Sequence, residues 1–167
     1  MAAGNTYTPL ATNTLGSAAA SVTFSSISGA YTDLVLIMNA GSSTTNADVD
    51  INVNGDTGAN YSRTILYGTG STAGSTRYTG ASNFSLTYYG NPSTTFSWIG
   101  IVNFMNYSNT TTYKTFLSKA DNADTYGVNN EVGLWRNTAA ITSIVIANRA
   151  YNFTTGSTFT LYGIAAA

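Results

Sequence analysis

Residues 48–58, DVDINVNGDTG, carry the densest set of side chains that could do chemistry. Acids or amides stand at every second position from 48 to 56, and their oxygens are the ligands that Ca²⁺ prefers. A helix-flanked calcium loop beginning at Asp48 needs glycine at its sixth position and glutamate at its twelfth. Those positions hold Val53 and Ala59, so a loop of this type is not predicted. A cation held incidentally by Asp48, Asp50 and Asp56 stays open as the alternative.

The same stretch has the alternation of a β-strand. Val49, Ile51 and Val53 alternate with the polar residues, which predicts one apolar face and one acidic, solvated face. Asn-Gly-Asp at 54–56 predicts a turn with positive φ at Gly55. We therefore interpret these residues as a strand that leads into a hairpin or loop, not as a metal site.

Catalytic residues are hard to assemble from the rest of the sequence. There is no histidine and no cysteine, which removes the commonest general base and the thiolate nucleophile. Serine and threonine are plentiful, but no motif places Lys114, Lys119 or a carboxylate beside one of them as a base. The glycines separate strand-like segments instead of opening helices, so no phosphate-binding loop is predicted. We predict no enzymatic activity, no metal and no cofactor.

The segment GLWRNTAAITSIVI, residues 133–146, permits two interpretations. Trp135, Arg136 and Asn137 could form a sugar-binding platform, with the indole stacked on a pyranose and the two polar side chains donating hydrogen bonds. Alternatively, Trp135 packs within a strand, residues 137–140 turn the chain, and the following isoleucines return it to the core. The second interpretation is favoured, and the first stays open as a glycan contact.

The composition narrows the set of partners. Only 8% of the 167 residues are charged and the net charge is −1, so no basic surface is available for nucleic acid. No apolar run approaches the roughly 20 residues of a membrane span. The beginning of the chain lacks the basic and apolar regions of a secretory signal, so we expect none. We predict neither a nucleic-acid partner nor a membrane partner.

Short apolar segments separated by Gly, Asn, Ser and Asp clusters predict an all-β protein without helices. About ten strands indicate an antiparallel β-sandwich, jelly-roll-like in connectivity. The near-continuous apolar runs at 34–38 and 98–105 favour central strands covered on both faces, with a neighbouring subunit as a possible second cover. Residues 68–82 and 106–112 are predicted loops. The predicted strands are 22–24, 34–39, 49–53, 61–67, 84–89, 96–104, 113–118, 132–136, 141–147 and 158–164.

The amino-terminal segment, residues 1–21, precedes the predicted domain. Residues 1–21 contain no charged side chain and are rich in small ones, so they are predicted to form either an extended arm or the first strand. Residues 22–167 are predicted to form a single β-sandwich domain. As an arm, the segment would add main-chain hydrogen bonds to another protein or a second subunit. Tyr7, Pro9 and Leu10 are its predicted contact residues.

Four blocks of sequence carry a resemblance to a known family. They are YTPLATNTLGSAAASVTFSSISGAYTDLVLIMNA, NVNGDTGANYSRTILYG, FMNYSNTTTYKT and GLWRNTAAITSIVIANRAYNFTTGSTFTLYGI. In this order they resemble small all-β virion proteins of tailed bacteriophages, including cyanophages. Residues 68–82 and 120–130 depart from the family pattern, as exposed loops do.

The resemblance implies a structural role in a phage particle. The implied function is a capsid decoration, or cement, protein on the outer capsid surface, made in the host bacterial cytoplasm and bound to the major capsid protein. The implied oligomer is a homotrimer, with a dimer as the next expectation. The alternative is a tail-fibre or tail-associated module that binds host surface glycan.

Overall fold

The computed structural model describes residues 6–95, 97–122 and 127–165. Within these ranges the regular structure consists of twelve strands, and no helix is present. The exposed loop expected at residues 120–130 is wrong at 120–122 and 127–130, which lie in strands. Four predicted features reach beyond the described ranges: the first five residues of the amino-terminal arm, Phe96 at the start of one strand, residues 123–126 of that loop, and residues 166–167 at the end of the domain. These positions lie outside the described residues.

The strands have short connections and cover most of the described chain. Their bounds, in chain order, are β1 Tyr7–Thr14, β2 Ser21–Phe24, β3 Asp33–Ala40, β4 Val49–Val53, β5 Tyr61–Gly68, β6 Ala73–Ala81, β7 Phe84–Ser85, β8 Trp98–Met105, β9 Lys114–Asn122, β10 Gly127–Trp135, β11 Ile144–Asn148 and β12 Thr158–Ile164.

The strands form two antiparallel sheets of unequal size. The large sheet has the order β1-β12-β3-β8-β9-β10-β5-β6, and the small sheet has the order β2-β11-β4-β7. The predicted all-β antiparallel sandwich is thus confirmed. The jelly-roll connectivity is not shown by this strand order and stays a prediction.

The core lies between the sheets because inward and outward side chains alternate along each strand. The Phe116 ring contacts the rings of Phe84 and Phe104 edge to face, with centroids 5.3 and 5.0 Å apart. A Cβ atom at Gly133 would overlap the Phe84 ring, so glycine is needed where Phe84 of the small sheet packs on β10. Each sheet thus buries its inner face against the other.

Strand β6 corrects one prediction. Residues 68–82 were expected to be a loop, but Ala73–Ala81 pairs with β5 over eight register positions. The segment has no apolar alternation, because β6 is an edge strand with most of its side chains exposed. Main-chain pairing to β5 therefore forms this strand without the burial pattern that marks the others.

Strand β4 keeps its predicted bounds, and its turn has the predicted backbone. Asn54 and Gly55 have φ of 53° and 68°, and the Asp56 amide donates to the Val53 carbonyl at 2.9 Å. The predicted solvated acidic face is wrong at Asp50, which is only 5% exposed. Arg149 covers that carboxylate, as described below.

The amino-terminal segment forms an edge strand of the large sheet. Strand β1 pairs antiparallel with β12 from Tyr7 to Thr14, with a register shift between Pro9 and Ala11. Proline has no amide hydrogen, and it is tolerated at sheet edges and bulges. Residues 7–14 are therefore the first strand of the sandwich, which is one of the two alternatives predicted for this segment.

Candidate functional site

The outward side of the large sheet, which we name the outer face, is its most unusual surface. Seven large apolar side chains on β3, β5, β8, β9 and β10 point away from the core and are 39% to 63% exposed. Soluble proteins commonly expose single apolar residues, whereas a group on one face marks an interaction surface. The seven are Ile37, Leu66, Ile99, Met105, Leu117, Val128 and Val132.

Strand register places some of these side chains next to another apolar residue. Leu117 lies directly opposite Val132 in the β9–β10 ladder, and Ile37 lies opposite Ile101 in the β3–β8 ladder. Lys119 and Asp121 follow Leu117 on the same side of β9. Arg77, opposite Thr64 on β5, and Asp33 at the start of β3 lie on the same side of the sheet. The surface thus carries a few charges of both signs among side chains that are otherwise apolar or uncharged.

The chemistry available to the outer face follows from its backbone. The central strands have their main-chain groups paired on both sides, so few hydrogen bonds remain for recognition. Binding here would come from removing apolar surface from water, which contributes about 25 cal/mol per Å². A covered face was expected from the apolar runs at 34–38 and 98–105, and those runs lie in the middle of this sheet.

The three predicted contact residues of the amino-terminal segment have different environments. Tyr7 is 57% exposed, and its ring contacts Tyr162 edge to face at 6.1 Å. Pro9 is exposed beside the register shift. Leu10 is partly buried and packs against the core of its own sandwich, so it anchors β1 there. A partner contact at Tyr7, Pro9 and Leu10 stays a prediction.

The predicted sugar platform at residues 135–137 is used internally. Trp135 is 1% exposed, and its indole Nε1 donates to Asp56 Oδ2 at 2.6 Å. Arg136 donates to the Ser62 hydroxyl and, at 2.9 Å, to the Ala59 carbonyl. A buried indole offers no ring face to a sugar. The platform hypothesis is therefore wrong at Trp135, and the packing interpretation accounts for it.

Asn137, the third residue of that hypothesis, shapes its own turn. Its side-chain oxygen accepts a hydrogen bond from the Ala139 amide at 2.9 Å. The side chain is partly buried, and asparagine commonly closes turns in this way. Its position after β10 thus has a local structural cause.

The acids of the opening motif bind donors from different parts of the fold. Asp48 and Asp50 both pair with Arg149, whereas Asp56 accepts from Trp135, Asn60 and the Gly58 amide. Burial pushes the pKa of Asp56 upward, but these hydrogen bonds outweigh it and lower the pKa below its usual value. In the described part of the chain, no three Asp, Glu, His or Cys residues form a group that could hold a metal.

Arg149 fixes the start of β4. Its Nε and Nη2 donate to the two oxygens of Asp50, each at 2.7 Å, and its Nη1 donates to Asp48 at 3.0 Å. Burial raises the pKa of Asp50, although the Arg149 guanidinium opposes the rise. Arg149 remains half exposed, so the group forms a fixed, partly open surface of mixed charge.

Arg63 and Glu131 form an ion pair between the sheets, with Arg63 Nη1 3.3 Å from Glu131 Oε2. The Glu131 side chain is fully buried. This burial raises the pKa of Glu131 to about 7, even though Arg63 acts to lower it. Arg63 also donates to the main-chain carbonyls of Ser85 and Thr87, and thereby ties the inner side of β5 to the edge of the small sheet.

Comparisons with family models, with curated proteins and with solved structures give no match to this chain. The resemblance to phage virion proteins therefore stays a prediction. In the described residues, no helix is long and apolar enough to cross a membrane.

Proposed function

We propose that the protein is a structural component of a tailed-phage particle, a decoration protein on the outside of the head that bridges capsomers. The observation that carries the proposal is the outer face, an apolar and charge-poor sheet surface suited to being covered. The resemblance of the four sequence blocks to phage virion proteins supports the same role. Both lines favour assembly over catalysis.

The two surfaces of the large sheet would have different partners. Outer faces of neighbouring copies pack together around a symmetry axis, with a homotrimer as the first expectation and a twofold dimer as the second. The β1 edge, with Tyr7 and Pro9 exposed, faces the major capsid protein. Each contact of about 800 Å² per partner contributes modestly, and repetition over the shell multiplies the effect.

A tail-associated module that binds host glycan is the second candidate. A polar groove on another side of the sandwich, described in the next subsection, favours it. The two candidates differ in copy number, because a shell protein is present in many copies per head and a tail module in few. Quantitative mass spectrometry of purified virions separates them, and a low copy number would contradict the decoration role.

Charging the outer face is expected to dissociate the oligomer. In a Leu117→Lys/Val132→Lys variant, two ammonium groups would stand at the centre of the interface and lose their water on association. Native mass spectrometry at micromolar concentration should give oligomers for the parent protein and monomers for the variant. Thr23→Lys, an exposed site on β2 of the small sheet, is the matched control and should leave the oligomer unchanged. A monomeric parent protein, or an unchanged double variant, would contradict the interface.

Attachment to heads is expected to resist salt. Screening shortens the Debye length from about 10 Å at 0.1 M to about 3 Å at 1 M, but apolar and main-chain contacts are not weakened in this way. The protein should therefore remain on purified particles in 1 M sodium chloride, and heads that lack it should burst at a lower temperature. Release by salt alone would count against the proposed attachment.

A further inference from the structure

A groove of about 900 Å³ lies along the open side of the sandwich, and we name it the side groove. The large sheet is wider than the small one, and β7 at the small sheet's edge contacts β5. Strand β6 is the next strand beyond β5, so it projects past the small sheet. The side groove fills the space left where β6 extends beyond the small sheet. It lies between the inner side of β6 and the edge formed by β7 and the residues that follow it.

Tyrosine rings form one wall of the side groove. Tyr78 on β6 is 42% exposed, and the Arg63 guanidinium lies 4.9 Å from its ring centroid. Tyr88 lies 6.2 Å from Tyr78 and is itself held by Tyr67 and Tyr89, with ring centroids 5.0 and 4.9 Å away. The wall is thus an aromatic surface whose orientation is set before any ligand arrives.

Polar groups of fixed orientation form the opposite wall. Arg149 is held by Asp48 and Asp50 and is half exposed. Asp48 Oδ1 also accepts a hydrogen bond from the Thr87 hydroxyl at 3.2 Å. Asn83 also lines the groove. Because Arg149 and Asp48 are already held in place, these two side chains lose little conformational freedom when a ligand binds.

The charges around the side groove nearly cancel. Arg63 and Arg149 stand against Asp48, Asp50 and the partly ionised Glu131. A strongly anionic or cationic ligand would therefore gain little from the electrostatic field. A neutral molecule with many hydroxyl groups fits better, since it can place an apolar ring face on tyrosine and its hydroxyls on Asp, Asn and Arg.

An added peptide strand fits the groove less well. Strand addition uses free main-chain groups at a sheet edge. At the β7 edge, the Arg63 guanidinium already binds the Ser85 and Thr87 carbonyls. Those two acceptors already have a donor, and the guanidinium lies where an incoming chain would have to pair.

We propose that the side groove binds a short neutral oligosaccharide, stacked on Tyr78 and hydrogen-bonded by Asp48, Asn83 and Arg149. This site is separate from the outer face and from the residues 135–137 that sequence patterns suggested. It does not depend on whether the protein decorates the head or belongs to the tail. A head protein with such a groove would also hold the particle weakly to a glycan surface.

The test is an array of immobilised neutral oligosaccharides, acidic oligosaccharides and peptides, with affinities of the hits measured by calorimetry. We expect the parent protein to bind one or more neutral oligosaccharides, and Tyr78→Ala to weaken that binding about tenfold or more. Asp48→Asn keeps the shape of the side chain but removes its charge, and should also weaken binding. Tyr113→Ala, which removes a similarly exposed tyrosine elsewhere, is the control and should bind normally.

Several results would overturn the proposal. The first is that no neutral oligosaccharide binds at millimolar concentration. The second is that acidic sugars or peptides bind better than neutral sugars. The third is that Tyr78→Ala and Asp48→Asn bind as tightly as the parent protein. Thermal unfolding of each variant shows whether lost binding reflects lost folding. If Tyr78→Ala unfolds, Asp48→Asn and Asn83→Ala decide the result. The Leu117→Lys/Val132→Lys variant should keep glycan binding while losing self-association, so failure of one proposal is distinguishable from failure of the other.

Discussion

Replacing Arg63 with methionine is expected to lower the free energy of unfolding by about 3–5 kcal/mol at pH 8. Glu131 would keep its full burial but lose its counter-charge, and an uncompensated buried carboxylate is strongly unfavourable. The Ser85 and Thr87 carbonyls would lose a donor as well. Urea unfolding of the two proteins gives the difference directly.

Four companion variants, one of which is Glu131→Leu alone, make this result specific to the ion pair. Arg77→Met removes an exposed arginine from β6 and should change stability by no more than about 0.5 kcal/mol. Glu131→Leu added to Arg63→Met removes the stranded carboxylate and should recover a large part of the loss. Arg63→Lys keeps the positive charge but lacks the planar guanidinium group. Its free energy of unfolding should therefore lie between those of the parent protein and Arg63→Met. If the Arg63→Met and Glu131→Leu effects simply add, the pair is not coupled as the structure indicates.

Stability is expected to fall by about 3 kcal/mol as the pH rises from about 4.5 to 7. Burial raises the folded-state pKa of Glu131 from 4.5 to about 7. The folded protein therefore binds more protons than the unfolded chain within this window, and each rise in pH favours unfolding. The stabilising effect of the protonated carboxyl is complete below pH 4.5 and lost above pH 7.

Glu131→Gln isolates this effect from other acids. The amide stays neutral at every pH, so the difference in unfolding free energy between parent and variant should change across the window and level off above pH 7. Asp50 also has a raised pKa and contributes in the same direction, but equally in both proteins. Asp56 has a lowered pKa, and the stability that it provides is lost only at more acidic pH. Parallel pH profiles for the parent and variant would show that Glu131 does not titrate in this window.

Period-two alternation predicts the best-packed strands accurately. The segments 49–53 and 158–164 were predicted with the bounds that β4 and β12 have, because each places apolar residues on an inner face. Strand β6 was not predicted, because most of its side chains are exposed and it is held by main-chain pairing to β5. The predicted strand 84–89 is shortened to β7, since the chain leaves the edge of the small sheet after Ser85.

The candidate sites also differ in how far local sequence patterns could predict them. Exposed Ile37 and Ile99 belong to the apolar runs 34–38 and 98–105, and this local signal pointed to a covered outer face. Leu117 and Val132 extend that face onto β9 and β10, for which no covered face was predicted. Arg63 and Glu131 are 68 positions apart and meet only because β5 pairs with β10. Arg149 reaches Asp50 across 99 positions. Long-range pairings of this kind leave no trace in local periodicity, so the side groove was not predictable.

The placement of β12 has a consequence for how the chain is made. Strand β12 lies between β1 and β3 in the large sheet, so β1 leaves the ribosome long before the strand that it pairs with has been made. Until then, β1 and the open side of β3 present unpaired main-chain groups to other nascent chains. The β8–β9–β10 meander, whose neighbours follow each other in sequence, can form earlier. The large sheet is therefore completed only after β12 has been made. When many copies are synthesised at once, nascent chains can pair with each other's open strand edges before that point.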